Sequence, residues 1–138
     1  MQKISLAFSA GALGGLVNGM ALWLTGWLGI PRLLGVTLAP ALTPAFLYNR
    51  LVWGGLFGIL LVLVTRPAYW VGRGLVISVV PFLVQNFVVF PYQDKGMMGL
   101  QLGTLMPVFV FIFNVVWGLV AAWWYDAATA AKGAGRAA

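Results

Sequence analysis

Residues 4–28, ISLAFSAGALGGLVNGMALWLTGWL, form a stretch without a charged side chain near the N-terminus. An α-helix rises about 1.5 Å per residue, so a helix of this length crosses the roughly 30 Å hydrocarbon core of a bilayer. Lys3 followed by an apolar stretch also suits a secretory signal peptide, but the stretch is too long for a signal-peptide core and no convincing small-residue cleavage motif follows it. We therefore predict that it is a transmembrane helix.

Composition extends this prediction to the whole chain. Of the 138 residues, 62% are hydrophobic and 7% are charged, whereas about a quarter of the residues of a soluble domain are charged. Three more apolar stretches, at residues 45–64, 72–90 and 99–125, are long enough to span a bilayer. The sequence thus predicts an all-α integral membrane protein with a four-helix transmembrane domain at residues 1–126. The Gly/Ala-rich residues 127–138 are predicted to be a mobile tail.

The segment between the first two spans, residues 29–44, is apolar but contains Pro31, Pro40 and Pro44. Proline removes a backbone donor and interrupts helices. Non-helical backbone is tolerated at membrane depth only where protein or water satisfies its polar groups. This segment therefore either lies in the membrane interface or enters the bundle as a shallow re-entrant loop, and both alternatives remain open.

The distribution of basic residues predicts the orientation of the chain. Four spans put both termini on one side of the membrane, and the basic residues divide five to three between the two sides. The side of the termini carries Lys3, Arg66, Arg73, Lys132 and Arg136, and the other side carries Arg32, Arg50 and Lys95. Because cytoplasmic loops are enriched in Lys and Arg, we expect both termini in the cytoplasm and the chain in a bacterial cytoplasmic (inner) membrane.

The net charge of +6 comes from basic residues that are scattered along the chain. A nucleic-acid-binding protein clusters its basic residues on one face. Basic residues that flank membrane spans instead face anionic lipid headgroups. The predicted partner is therefore the lipid bilayer with its anionic headgroups, and no nucleic acid partner is expected.

Two spans carry the same five-residue motif. The second span contains RLVWG at residues 50–54 and the fourth contains NVVWG at residues 114–118, both of the form polar-x-Val-Trp-Gly. The spans before them share Gly-Leu-Val, at residues 15–17 and 74–76. We predict a helical hairpin used twice, with the copies related by an axis along the membrane normal, as in transporters built from parallel repeats. Chance is the alternative, because Val, Trp and Gly are common in membrane helices.

These motifs also carry a family resemblance. A glycine-rich first helix, Gly-x-Pro at residues 29–31, the polar-x-Val-Trp-Gly motif in the second and fourth helices, and Pro91 closing the third follow one another in this order. The order resembles that of small four-helix bacterial membrane proteins classed as domains of unknown function. The resemblance covers about residues 10–125 and implies a four-helix membrane fold without implying an activity. In those proteins the polar position is usually histidine, whereas here it is Arg50 and Asn114.

The residue types that the chain lacks exclude several kinds of chemistry. There is no Cys and no His, which removes disulfides, thiolate chemistry and imidazole ligation of zinc or haem. The two carboxylates, Asp94 and Asp126, both fall at predicted helix ends, so a paired-carboxylate site or an intramembrane proton relay is not expected. Ser78 or Thr104 as a nucleophile would lack a histidine base. We predict no enzyme activity, no cofactor and no metal site.

Small residues recur at helical spacing along the spans. Lipid gives helices no hydrophobic reason to associate, so small residues mark faces where helices approach closely, and amides hydrogen-bond between helices. The residues predicted to pack helices are Gly11, Gly15, Gly19, Gly54, Gly58, Asn114 and Gly118. The alternative is that these stripes converge on a cavity.

Four polar residues form a candidate binding site. By the rise of an α-helix, Asn18, Gln85 and Arg50 share one level in the outer half of the membrane, and Asn86 lies beside them on an adjacent face. A guanidinium with three carboxamides is a set of donors for an acceptor, and an unpaired Arg at mid-membrane costs about 2.5 to 3.5 kcal/mol. The favoured interpretation is that Arg50 snorkels to a headgroup phosphate. The alternative is a site at these four residues for an anion or a lipid phosphate, or a bond from Arg50 to carbonyl groups of the Pro-rich segment.

The glycine stripes and the lack of reactive groups favour a non-catalytic packing or accessory subunit of a membrane assembly, bound to other membrane protein chains or to copies of itself. The alternative is an oligomeric transporter or channel for a small neutral or anionic solute. The parallel repeat and the shared level of Arg50, Asn18 and Gln85 favour this alternative.

Overall fold

Helices make up the fold. The structure, a computed structural model, describes residues 1–137 apart from the side chains of residues 134, 136 and 137. Its helices are α1 (Gln2–Trp27), α2 (Ile30–Leu33), α3 (Pro44–Gly58), α4 (Leu60–Leu63), α5 (Trp70–Val84), α6 (Phe90–Tyr92) and α7 (Met106–Ala137), with a π-helical segment at Gln85–Val89 and a 3-10 segment at Met97–Leu102. Within residues 1–137 there is no β-strand.

Four stretches are long and apolar enough to cross a membrane. They are Gln2–Trp27, Pro44–Leu63, Trp70–Tyr92 and Met106–Gly133. The second combines α3 and α4, and the third combines α5, the π-helical segment and α6. The prediction of an all-helical chain with four membrane-length helices is thereby confirmed, and these helices indicate a membrane protein.

The fourth helix begins later than the sequence predicts. The prediction places the fourth span at residues 99–125, whereas α7 begins at Met106. Gly99 (φ 69°) and Gly103 (φ 144°) adopt backbone conformations that do not continue an α-helix. The helix therefore starts only after them, with Pro107 in its first turn, where the missing N–H is harmless.

The other end of α7 continues through the predicted tail, residues 127–138. The helix reaches Ala137 because the Ala-rich residues of this segment favour helix. As a consequence Asp126 lies inside α7, which corrects its sequence-based placement at a helix end. Mobility of the tail stays a prediction, and Ala138 lies outside the described residues.

The long helices pack in the spatial order α3–α1–α7–α5. α1 and α7 form the centre, α3 packs along α1, and α5 packs along α7. α3 and α5 make few contacts with each other. The bundle therefore has three closed helix interfaces and one open side, between α3 and α5.

Glycine allows α1 and α3 to approach until their backbones touch. Gly11 and Gly15 of α1 face Gly54 and Gly58 of α3. A methyl group on Gly54 would lie 2.6 Å from the carbonyl oxygen of Gly11 and 2.9 Å from Cα of Gly15, closer than non-bonded atoms approach. In lipid, this close packing takes the place of the hydrophobic effect as the reason for association.

Two long-range hydrogen bonds join α1 to α7. Nε1 of Trp117 donates to the carbonyl oxygen of Gly11 at 3.0 Å, and Nδ2 of Asn18 donates to the carbonyl oxygen of Phe113 at 2.8 Å. Gly14 lies against Trp117 and lets the two helices come close. Because an unsatisfied polar group is costly in hydrocarbon, these bonds fix the register of the two central helices.

The α5–α7 interface also depends on small residues. Gly74 of α5 lies against Gly118 of α7. Oγ of Ser78 lies 2.6 Å from the carbonyl oxygen of Gly74 and 2.9 Å from that of Asn114, and its single hydrogen can bond one of them at a time. A larger side chain at either glycine would push α5 away from α7.

Arg73 closes the end of the bundle that carries the termini. Its Nε and Nη2 donate to the carbonyl oxygens of Val64 and Leu61, each at 3.2 Å, and its Nη1 forms an ion pair with Asp126. Carbonyl groups at a helix end lack the N–H partners that a continuing helix provides. One guanidinium thus joins the end of α4 to α5 and α7.

The two connecting segments, residues 28–43 and 93–105, cover the opposite end. The amide of Thr37 donates to the carbonyl oxygen of Leu102 at 2.7 Å and so joins the two segments. Val36 is buried against side chains of α6 and α7. The Pro-rich segment therefore packs on the end of the bundle as a short helix followed by irregular chain.

We expect Gly58→Ala to destabilise the bundle. The added methyl group would lie 2.5 Å from the carbonyl oxygen of Ala7 and 2.6 Å from Cα of Gly11, and overpacking of this kind costs about 1 to 3 kcal/mol. The matched control is Gly133→Ala, because nothing lies within 4 Å of a methyl group there. Thermal unfolding in detergent, followed by circular dichroism, should give a lower midpoint for Gly58→Ala than for the control. Equal midpoints would contradict close packing of α1 and α3.

Candidate anion-binding cavity

A cavity of about 520 Å³ occupies the open side of the bundle. α3 forms one wall, α5 and the π-helical segment form the other, and α1 and α7 form the floor. Leu38 and Leu102 from the connecting segments line it at the end remote from the termini. The cavity exists because α3 and α5 each pack on a floor helix and hardly on each other. Its volume lies in the range of ligand pockets, roughly 300 to 1,000 Å³.

Arg50 brings a positive charge into the cavity. Gly19 of α1 leaves room for its side chain, since a methyl group on Gly19 would lie 3.2 Å from Cγ of Arg50. The guanidinium carbon lies 5.2 Å from the centroid of the Phe46 ring, a cation–π distance. In the described part of the chain, the guanidinium forms neither an ion pair nor a hydrogen bond. Its five N–H donors are therefore available to a ligand.

Asn18 contributes a polar group to the floor of the cavity. Its side chain is nearly buried, and Nδ2 is used in the bond to Phe113. Oδ1 is also buried and receives no hydrogen bond from any described residue. The floor of the cavity therefore contains a polar atom that the described residues leave unsatisfied, at a cost in stability.

The π-helical segment lets one wall present side chains along its length. Pro81, Gln85, Val89 and Gln93 follow at four-residue steps and all line the cavity. In an α-helix, four residues rotate about 40° beyond a full turn, so such a series drifts off one face. A π-turn takes up an extra residue and keeps the series on the cavity side. Pro91, which has no N–H to donate, follows this segment.

The structure brings together three of the four residues that the sequence suggests for an anion site. Arg50, Asn18 and Gln85 all line the cavity. Asn86 lies outside its walls: it is 0% exposed, and its Nδ2 donates to the carbonyl oxygen of Phe82 at 2.8 Å. One residue along a helix turns a side chain by about 100°, which separates Asn86 from its neighbour Gln85. That the three residues bind an anion stays a prediction.

Three further amides line the cavity: Asn49, Gln93 and Asn114. The sequence-based site omits Asn49 and Gln93 and assigns Asn114 to helix packing. Nδ2 of Asn114 donates to a carbonyl oxygen of its own helix, four residues earlier, at 2.8 Å. Two features of the sequence could have indicated that Gln93 and Asn49 belong to the site. Gln93 follows Gln85 by eight residues, and Asn49 is next to Arg50.

Apolar side chains complete the walls. Phe46, Trp53 and Phe57 line the α3 side, and Val84 lines the α5 side. Trp53 is 57% exposed, as expected for a residue at the mouth of the open side. The cavity therefore joins a polar region at Arg50 to a larger apolar region, and the polar region can hold an anion by charge and hydrogen bonds.

No protein-family model, curated protein or solved structure matches this chain. The resemblance to small four-helix membrane proteins therefore stays a prediction. Any functional assignment depends on the geometry and chemistry of the cavity.

We expect Gln85→Cys to react with thiol reagents and Asn86→Cys to resist them. The chain contains no cysteine, so each variant reports on one position. Gln85 lines the cavity, whereas its neighbour Asn86 is fully buried. A small uncharged thiol reagent, applied to the protein in lipid nanodiscs and followed by mass spectrometry, should label the first variant much faster. Equal labelling of both would rule out the wall geometry described for this segment.

Proposed function

We propose that this chain is a non-catalytic membrane protein that binds an anion at Arg50 and acts as a transporter or channel. The supporting observation is a guanidinium without a counter-ion or acceptor in the described chain, inside a cavity of about 520 Å³. A cation in the hydrocarbon layer is costly without a partner, and a bound anion supplies that partner. The proposal follows the transporter alternative of the sequence analysis.

The donors around the cavity support an anionic rather than a neutral ligand. Arg50 provides a planar fork of N–H groups that suits a phosphate or carboxylate. Gln85 and Asn49 add amide donors that line the same cavity. Hydrogen bonds from a charged donor to a charged acceptor are about twice as strong as neutral ones, so Arg50 is the residue on which binding depends.

Transport requires access from the second side of the membrane. The contacts of Arg73 with Leu61, Val64 and Asp126 close the bundle at the end of the termini. In our proposal these contacts open and the connecting segments close over the cavity when the ligand passes. Carriers of this kind alternate access around one fixed site.

The proposed orientation puts both termini in the cytoplasm of a bacterial cell, with the chain in the inner membrane. Two of the eight basic residues are used within the bundle, Arg73 in its ion pair and Arg50 in the cavity. The other six divide four to two: Lys3, Arg66, Lys132 and Arg136 against Arg32 and Lys95. This excess supports cytoplasmic termini. The cavity then lies in the outer half of the membrane.

We also propose that the two helical hairpins are copies of one unit. In the first hairpin Gly11 faces Gly54, and in the second Gly74 faces Gly118, the glycines that end the two shared motifs. An alignment of the hairpins by these contacts matches Gly11 with Gly74. The shared Gly-Leu-Val sequence instead matches Gly15 with Gly74, so the two alignments of α1 on α5 differ by four residues (15 minus 11).

A second candidate is the accessory subunit favoured by the sequence. In this case, a helix of another membrane protein or of a second copy fills the open side between α3 and α5. The weak contact between these helices favours it. Such a helix would have to bring an acidic residue to Arg50. Recovery of a stoichiometric partner in mild detergent would favour this candidate, and recovery of a lone chain with a bound anion would favour the transporter.

Anion flux into liposomes tests the proposal. We expect the wild-type chain to move phosphate across the bilayer or an anionic lipid between its leaflets. Arg50→Gln should reduce the rate by about tenfold or more, because it keeps donors but removes the charge. The matched control is Arg32→Gln, a basic residue near the same end but outside the cavity lining, which should leave the rate unchanged. Equal rates for wild type and Arg50→Gln, or no flux in either, would end the proposal.

A further inference from the structure

The cavity opens sideways, between α3 and α5, and this direction indicates how a ligand can enter it. α3 and α5 belong to two of the four stretches long enough to cross a membrane. A gap between two neighbouring spans faces lipid chains at the depth of the hydrocarbon core. The open side between α3 and α5 is therefore an entrance from the bilayer.

The length of this gap supports entry from the bilayer. On α3 the lining extends from Phe46 to Phe57, a rise of about 16 Å at 1.5 Å per residue. The hydrocarbon core is roughly 30 Å thick. The opening therefore covers about half of the core and cannot lie wholly among the headgroups.

The gap offers both a charge and apolar surface. Arg50 lies about 6 Å along α3 from Phe46, the first α3 residue of the lining, at 1.5 Å per residue. Apolar side chains line the gap on both sides of this level, Leu38, Phe46 and Leu102 toward the connecting segments and Trp53, Phe57 and Trp117 toward the termini. A phosphate that carries hydrocarbon chains matches such a surface, because its charge can pair with Arg50 while its chains contact the apolar lining.

From this we infer that the ligand is a lipid anion, whose phosphate pairs with Arg50 while its hydrocarbon chain leaves the cavity between α3 and α5. The inference rests on the proposed function and names its substrate class. A free phosphate would share the chemistry of Arg50 but would use neither the sideways opening nor the deep apolar lining.

Native mass spectrometry of the detergent-purified chain tests this inference. The probes are dioleoyl phosphatidylglycerol, which has a phosphate, hydroxyl groups and chains, and dioleoyl phosphatidylcholine, which has the same chains without net charge. Glycerol 3-phosphate and inorganic phosphate provide the anion without chains. We expect the wild-type chain to retain phosphatidylglycerol in preference to the other three probes.

Two variants identify the site of retention. Arg50→Gln should weaken retention of phosphatidylglycerol by about tenfold or more, and Arg32→Gln should leave it unchanged. Circular dichroism shows whether Arg50→Gln folds. If it does not, Gln85→Ala, which removes an amide from the opposite wall, should still weaken retention several-fold.

Three other results of these experiments would contradict the lipid inference or the proposed function. Retention of phosphatidylglycerol that is insensitive to both cavity variants, or is matched by phosphatidylcholine, means ordinary lipid on the helix surface and overturns the lipid inference. Binding of glycerol 3-phosphate or inorganic phosphate that depends on Arg50, without a preference for lipid, also overturns it but leaves the proposed function standing. If no probe binds in an Arg50-dependent way, the proposed function fails as well.

Discussion

Close backbone contact at small residues holds this bundle together. Apolar helices in lipid gain nothing from hiding apolar surface, so they associate where their backbones can approach and their polar groups can bond. Gly11 meets Gly54 between α1 and α3, and Gly74 meets Gly118 between α5 and α7. Between α1 and α7, the Trp117 side chain bonds the Gly11 carbonyl group across an equally close contact. The fourth possible interface, between α3 and α5, lacks such contacts, and the cavity lies there.

Side-chain size differs between the closed α1–α7 interface and the open α3–α5 side. In the alignment of the proposed hairpin repeat, Phe57 of α3 corresponds to Ala121 of α7, and Ile77 of α5 corresponds to Gly14 of α1. Gly14 lies so close to Ala121 that a methyl group on it would be 3.3 Å from the alanine Cβ. The large side chain of Phe57, which lines the cavity, does not allow so close an approach. The shared motif shows the result: its tryptophan is 3% exposed in α7 (Trp117) and 57% exposed in α3 (Trp53).

Sequence reasoning succeeds here where one physical rule dominates. Apolar length alone predicts four membrane-crossing helices, because the thickness of the bilayer sets that length. The rise per residue also brings Arg50, Asn18 and Gln85 into one neighbourhood, and the structure has all three on the lining of one cavity; their common level stays a prediction. It fails where a local change of backbone decides, as at Gly103 before α7 and at the π-helical segment, whose extra residue keeps Gln93 on the cavity side. It also cannot tell which helices pack together, because that depends on residues from two helices meeting in space.

The open side gives Arg50 its significance. Had α3 packed on α5 as α1 packs on α7, a guanidinium at this depth would need a protein partner, and Asp126, the acid inside a span, is paired with Arg73 at the other end. Because this side is open, the charge of Arg50 lies in a cavity with room for a ligand. An anionic ligand can then provide the counter-ion that the described chain does not. The function proposed for the cavity therefore depends on the separation of two helices.

Disulfide trapping measures that separation directly, in the double variant Trp53→Cys with Gln85→Cys of this cysteine-free chain. The two positions line opposite walls of the cavity, and a disulfide requires Cα atoms within about 7 Å. An open side predicts that mild oxidation in lipid nanodiscs forms no disulfide, while a longer bifunctional thiol reagent joins the two positions within one chain. Rapid formation of the disulfide would mean that α3 and α5 pack together, and would contradict the cavity on which the account depends.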